Sequence, residues 1–256
     1  MIERIREVPM QEYYDQIFRR KSFHRFTKPF RSLTAVQLAQ IELCFSTVTP
    51  LVEDIRTLLR IVPISQTSCR QGEYALLLYS ERKQGYAQNI GYIGEQLDLF
   101  LAKENIGACW YGMGRPKERE YEGLHFVCML CIANQDGDSF RTKENSLNRL
   151  EIPEMWEGEG RGDLACVVRL APSACNTQPW LVVQQGDVLL VHRVFRKRGI
   201  IPPSLVSYYQ SIDIGIFLLF LELALEHATT KYCRTLYMED QKDERSVLTA
   251  RYILQK

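Results

Sequence analysis

An excess of either positive or negative residues is missing from this sequence: lysine and arginine number 32, aspartate and glutamate 31, and the net charge is +1. No global field therefore draws the chain toward nucleic acid or an anionic membrane, and neither partner is expected. An uninterrupted apolar start is missing too. The opening MIERIREVPM carries Glu3, Arg4, Arg6 and Glu7, which interrupts the apolar core a signal peptide requires and predicts a cytoplasmic protein. The most apolar stretch, 212–225, includes Asp213 and Glu222. It falls short of the ~20 residues needed to cross a bilayer and reads as a buried helix.

Metal and nucleotide signatures are also scarce. The four histidines, 24, 125, 192 and 227, fall outside any zinc spacing, so no metal is expected. Cys128 and Cys131 have a redox or metal spacing, but strand alternation sends the two side chains to opposite faces. The eight cysteines sit mostly in apolar runs, which predicts reduced thiols rather than a disulfide framework. No G-x-G-x-x-G follows a strand, no G-x-x-x-x-G-K-[ST] occurs, and GEGRG at 158–162 lacks strand context. A Rossmann nicotinamide domain is thus not indicated.

What is present is 256 residues that are 46% hydrophobic, enough for one large domain or two intimate halves. Helical patterning covers 11–20, 34–45 behind a Thr34 cap, 92–104 and 212–226. His227, after the last of these, is expected near a helix C-terminus, where positive charge is favourable. Runs of β-favouring residues cover 74–79, 125–133, 181–183 and 188–194, so the fold class is α+β. A weak internal repeat lays YIGEQLDLFLAKENIGACW (92–110) over DIGIFLLFLELALEHATTK (213–231), aligning Gly94 with Gly215. Two pseudo-symmetric halves are expected, 1–140 and 141–256, joined by a polar stretch.

Three short stretches carry chemistry. RKSFHRF (20–26) ends the first helix with Arg20, Lys21, Ser22 and His24; WYGMG (110–114) is a glycine-rich turn after an apolar segment; and APSACNTQPW (171–180) sets Pro172, Ser173 and Asn176 after another. A phosphate suits an arginine fork backed by a lysine, and glycines flanking Met113 let backbone approach a flat ligand.

Taken together, these stretches resemble the signatures of the nitroreductase superfamily of FMN-dependent oxidoreductases. APSACNTQPW is similar to that family's Pro-Ser-x-x-Asn-x-Gln-Pro-Trp element with each defining residue in place, RKSFHRF to its Arg-x-Ser element, and 89–114 to its central helix and following turn. Since the family usually builds its site between two subunits, a chain holding both contributions resembles the subset in which two nitroreductase-like halves are fused into an intrachain pseudo-dimer. The expected state is a monomer or a weak homodimer. The second composite site is expected to be dismantled, because the second half offers Arg161-Gly162-Asp163 in place of 20–22 and the first half Ile64 to Arg70 in place of 172–176.

The resemblance implies FMN as cofactor, bound by Arg20, Lys21, Ser22, His24, Gly112, Met113, Gly114, Lys143, Pro172, Ser173 and Asn176. Arg141 is an equal candidate to Lys143. In the resemblance Arg20 grips the phosphate, Gly112 to Gly114 approach flavin N5, and His24 takes the family's second basic position, where an imidazole is partly charged near its unperturbed pKa of ~6.5. Gln178 and Trp180 brace their loop, and Cys175 reads as a packing thiol. No side chain is required as a catalytic acid. The implied reaction is ping-pong transfer from NADH or NADPH to a small-molecule electron acceptor such as a nitroaromatic or quinone. The alternative is a flavin-binding or structural protein without turnover.

Overall fold

The computed structural model describes residues 10–26, 31–142, 147–158, 162–196, 199, 201–238 and 245–255. The N-terminal charges at 3–7, Lys143 and Arg161 lie outside them. In chain order the first half has α1 (Met10–Arg19), α2 (Ala35–Thr47), β1 (Thr57–Pro63), β2 (Tyr74–Ser80), α3 (Tyr86–Lys103), β3 (Ile106–Trp110), β4 (Glu120–Tyr121) and β5 (Leu124–Asn134). The second has α4 (Ile152–Met155), β6 (Trp156–Glu157), α5 (Gly162–Val168), β7 (Trp180–Gln185), β8 (Val188–Val194), α6 (Pro203–His227), β9 (Lys231–Leu236) and β10 (Ser246–Gln255). This mixture of helices and sheets is an α+β fold.

The strand order is β1-β2-β5-β3 in the first sheet, with β4 also on β5, and β6-β7-β8-β10-β9 in the second. Each sheet thus places a hairpin, a long helix and two further strands in the same sequence, β1, β2, α3, β3, β5 against β7, β8, α6, β9, β10. The equivalence extends to the loop before each hairpin. Residues 48–56 stand between α2 and β1 as 169–179 stand between α5 and β7. The counterpart of 172–176 is therefore this loop, not Ile64 to Arg70, which forms a short 3-10 turn after β1 and pairs with 115–117.

Local sequence explains the boundaries. Thr34 and Gln37 close a reciprocal capping box at the start of α2, with the Gln37 N–H on Thr34 Oγ1 at 3.2 Å and the Thr34 N–H on Gln37 Oε1 at 3.0 Å. By contrast α3 begins at Tyr86 behind Gly85 (φ 81°), with no side-chain cap, and α6 begins with Pro203 in its first turn. Both start well before the apolar periodicity does. At 25 residues α6 is long and apolar enough to cross a bilayer by length and composition, but in this fold most of it is buried. Its last residue, His227, stacks on Tyr14 of α1 at 3.7 Å between ring centres.

The core is one cluster that takes in α3, α6 and the inner faces of both sheets. Alternation on β5 places Cys128 in that cluster and Cys131 in a smaller one behind the first sheet, next to Cys69. At the centre α3 and α6 cross with backbones in contact. A Cβ added at Gly91 would lie 2.0 Å from the Ile212 carbonyl oxygen, and one at Gly215 1.9 Å from that of Gln88. The crossing therefore matches Gly91 with Gly215. Gly94, which the sequence alignment sets against Gly215, faces the Trp110 ring instead.

Candidate functional site

The segment after α1 is pinned to the first sheet by its aromatic residues. Phe23 and Phe26 are buried with Cys109, Ala133 and Phe140, Phe23 meets Phe140 edge-on at 5.0 Å, and the Phe23 N–H donates to the Ala108 carbonyl at 2.9 Å. With the apolar residues turned inward, Arg20, Lys21, Ser22 and His24 line a cavity of about 770 Å³. The Lys21 ammonium lies 4.7 Å from the Phe23 ring centre, and His24 Nδ1 is 3.6 Å from Cys109 Sγ.

The opposite wall comes from the second half. Past Pro172, the loop holds Cys175, Asn176 and Gln178 at φ 50°, 54° and 49°, a left-handed conformation that costs roughly 1–3 kcal/mol for each non-glycine residue. Side chains offset that strain. Ser173 Oγ accepts from the Gln178 N–H at 2.8 Å, Gln178 Oε1 from the Leu150 N–H at 2.9 Å, and the Asn176 amide donates to the Asn148 carbonyl at 2.7 Å. Trp180 is fully buried and stacks on Phe217. Gln178 and Trp180 thus brace the loop, leaving Pro172, Ser173, Cys175 and Asn176 on the cavity.

Between these walls stand Trp110, Gly112 and, from α6, Tyr209, Ile212, Asp213 and Ile216. Gly112 is required by Tyr209: its missing Cβ would lie 2.8 Å from that ring, whose hydroxyl donates to the Gly112 carbonyl at 2.9 Å. Met113 is half exposed, and Gly114 lies under Met129 and Tyr111; neither lines the cavity. The structure therefore brings together Arg20, Lys21, Ser22, His24, Gly112, Pro172, Ser173 and Asn176, along with Arg141.

Arg20 is buried, and its charge is already matched. Its Nε donates to Asp98 Oδ2 at 2.7 Å and lies 3.4 Å from Glu95 Oε1, while another nitrogen donates to Ser22 Oγ at 3.0 Å. Burial opposes the guanidinium charge, yet the adjoining Asp98 carboxylate holds it above the ordinary arginine value. Burial likewise raises the Glu95 carboxyl well above the carboxylate range, against the pull of Arg20. The Trp110 indole N–H is shared between Glu95 and Asp98, at 3.1 Å each.

Sequence reading missed Arg149, a cation on the cavity with no ion pair among the described residues. It donates to Asn176 Oδ1 and, at 3.1 Å, to the Leu170 carbonyl, while its Nε has no partner among the described residues. Burial and then the charges of Arg20, Arg141 and Arg169 push it down to about 10. Burial is the larger cause; the like charges that add to it are ones an anion in the cavity would offset. Asp213 was also missed as a site residue; in the sequence its only mark is that it and Glu222 are the two acids of the apolar run 212–225.

Among comparisons with known proteins, the model of the family described as "Putative TM nitroreductase" matches residues 12–225. A structure from Thermotoga maritima, described as a putative nitroreductase, covers 99% of both chains at 16% identity with a TM-score of 0.62. That protein shares the fold. A Parabacteroides distasonis NADH dehydrogenase/NAD(P)H nitroreductase, also so described, covers 59% of this chain and 98% of its own, at 10% identity and TM-score 0.44. A Desulfovibrio desulfuricans counterpart solved in complex with FMN covers 57% and 98%, at 17% identity and TM-score 0.35. Functionally curated proteins give no match.

Proposed function

Since this chain belongs to the "Putative TM nitroreductase" family and hence to the nitroreductase-type oxidoreductases, we propose that its cavity binds FMN and that the protein reduces small acceptors with NADH or NADPH. The observation that carries this reading is the cation cluster. Lys21, Arg141 and Arg149 converge from both halves on one cavity, and Arg149 is left short of negative charge. A phosphate supplies that charge through charge-assisted hydrogen bonds of ~1.5–3 kcal/mol each. Arg20, neutralised by Asp98, orients Ser22 and supports the cavity floor instead of carrying the anion.

The remaining walls suit a flat, mostly apolar ring system. Trp110, Tyr209, Ile212 and Ile216 exclude water from its faces, and the strained loop 172–176 presents backbone and small polar groups to an edge. When bound, FMN supplies two-electron chemistry between a nicotinamide and an acceptor such as a nitroaromatic or quinone. The chain's own groups bind, orient and exclude solvent.

We further propose one flavin per chain, with the two halves acting as a fused pseudo-dimer. At the place related to this cavity by the helix crossing, Glu222 accepts from Tyr92 (2.7 Å), Tyr252 (2.8 Å) and Arg234, and Arg234 also reaches the Leu51 carbonyl. Those side chains fill the second seat.

An absorbance spectrum and FMN-to-protein ratio of purified protein test the reading, followed by anaerobic NADH or NADPH. Bleaching of a yellow protein supports it. A colourless protein that takes up no FMN overturns it, and a yellow one that neither nicotinamide bleaches leaves a flavin-binding protein without turnover.

A further inference from the structure

Asp213 sits on α6 where that helix crosses α3, is 3% exposed, and lines the cavity. Its Oδ1 accepts from the Ala174 N–H at 2.9 Å, which ties the strained loop to the helix. Its Oδ2 is buried and makes no hydrogen bond of good geometry among the described residues; the Thr177 hydroxyl, likewise without one, lies beside the carboxyl. Asn89 occupies the matching place on α3, at the same sequence separation that relates Gly91 to Gly215. Its Oδ1 accepts from the Leu51 and Val52 N–H groups at 2.8 and 3.0 Å, in the loop that corresponds to Ala174. An amide is therefore sufficient to anchor the loop. The carboxyl stands only on the side with the cavity, and it adds one property an amide lacks, a proton that ionises within the ordinary pH range.

We propose that Asp213 is a binding residue of the cavity that works as a hydrogen-bond donor, presenting a proton on Oδ2 to an acceptor atom of the flavin ring system. The inference rests on the flavin reading above. Its surroundings favour the neutral form. Around it stand Cys128 on β5, Tyr209 and Gln210 on α6, Thr177 and Cys175 on the loop, and Arg196 across a small side cavity. Across the main cavity lie Arg20, Lys21, His24, Arg141 and Arg149, and none makes an ion pair with it among the described residues. Burial pushes its carboxyl up to about 8, against the opposing pull of the Ala174 N–H and the Thr177 hydroxyl.

The test titrates FMN, and riboflavin to remove the phosphate's own ionisation, against the wild type, Asp213→Asn and Asp213→Ala from well below to well above pH 8, following flavin fluorescence. The wild type should lose roughly 5–100-fold in affinity for both ligands as the pH rises through the carboxyl's range, the size of one lost buried hydrogen bond. Asp213→Asn, which keeps a donor and the Ala174 anchor, should bind at every pH as the wild type does at low pH. Asp213→Ala should bind weakly throughout. In the ligand-free protein, one carboxylic-acid C=O component in the infrared at pH 7, beside that of Glu95, should vanish in Asp213→Asn. An Asn variant with the wild-type pH profile, or no such loss, overturns the inference while leaving the flavin reading intact. Failure of the wild type to bind either flavin at any pH overturns the flavin reading itself.

Discussion

Gly91 and Gly215 are reciprocal contact points of one helix crossing: each brings its backbone against a carbonyl of the other helix, where a Cβ would lie 2.0 or 1.9 Å from oxygen. The carbonyls belong to buried helical backbone, so relief requires the helices to separate. Gly91→Ala and Gly215→Ala should each destabilise by at least ~1–3 kcal/mol, the usual cost of overpacking. Gly162→Ala, at the start of α5 where an added Cβ meets nothing within 4 Å, should be neutral or stabilising by up to ~1 kcal/mol. Urea denaturation of the three variants checks this; a Gly215→Ala midpoint equal to that of Gly162→Ala would count against the crossing.

Arg149 should matter to affinity through the phosphate. Arg149→Leu removes a cation whose charge burial disfavours, along with its hold on Asn176, so FMN should bind ~10–100-fold more weakly, in line with a charge-assisted hydrogen bond. Riboflavin, which has no phosphate, should lose much less. Fluorescence titrations with both ligands separate a phosphate contact from a general loosening of the loop, which would weaken both equally.

Asp98 and Glu95 flank Arg20 but should not be equivalent. Asp98→Asn strips the closest counter-charge from a guanidinium that is 2% exposed, and breaking such a buried pair costs about 3–5 kcal/mol. Burial already favours the protonated form of Glu95, so Glu95→Gln replaces a neutral group with a neutral one and should cost ~1 kcal/mol or less at pH 7. Thermal melts of the two variants read the difference, and equal losses would contradict the assignment of the charge to Asp98.

How far the sequence disclosed this arrangement depended on whether the signal was local. α2 was legible because its apolar spacing follows directly on the Thr34 cap, and β8 because 188–194 is an unbroken run rich in β-favouring residues. APSACNTQPW was legible because its proline, amides and tryptophan all act inside one loop. The start of α6 was hidden, since its first turn is exposed and held by tertiary contact rather than by a cap. β9 escaped notice because its residues alternate between exposed and half-buried, leaving no apolar run. Arg149 and Asp213 gain their meaning from partners 27 and 39 residues away, and the register of the repeat is set by backbone contact, which leucine periodicity does not reveal.

Asp213 should also leave a signature in stability. Its folded carboxyl is raised to about 8 from an ordinary value of 3.8, so between those values the folded state holds a proton that the unfolded state has released. Stability then falls as pH rises. The contribution is fully present below about 4, is lost progressively toward 8, and is level above. Asp213→Asn removes the titration and keeps the Ala174 hydrogen bond. Relative to the wild type, it should therefore gain stability steadily across that window, by on the order of a few kcal/mol in total. Denaturant midpoints of both proteins at matched pH values provide the measurement. A difference that stays flat from pH 4 to 8, or shrinks, would mean that the carboxyl is ionised inside the fold and that Oδ2 has found a cation.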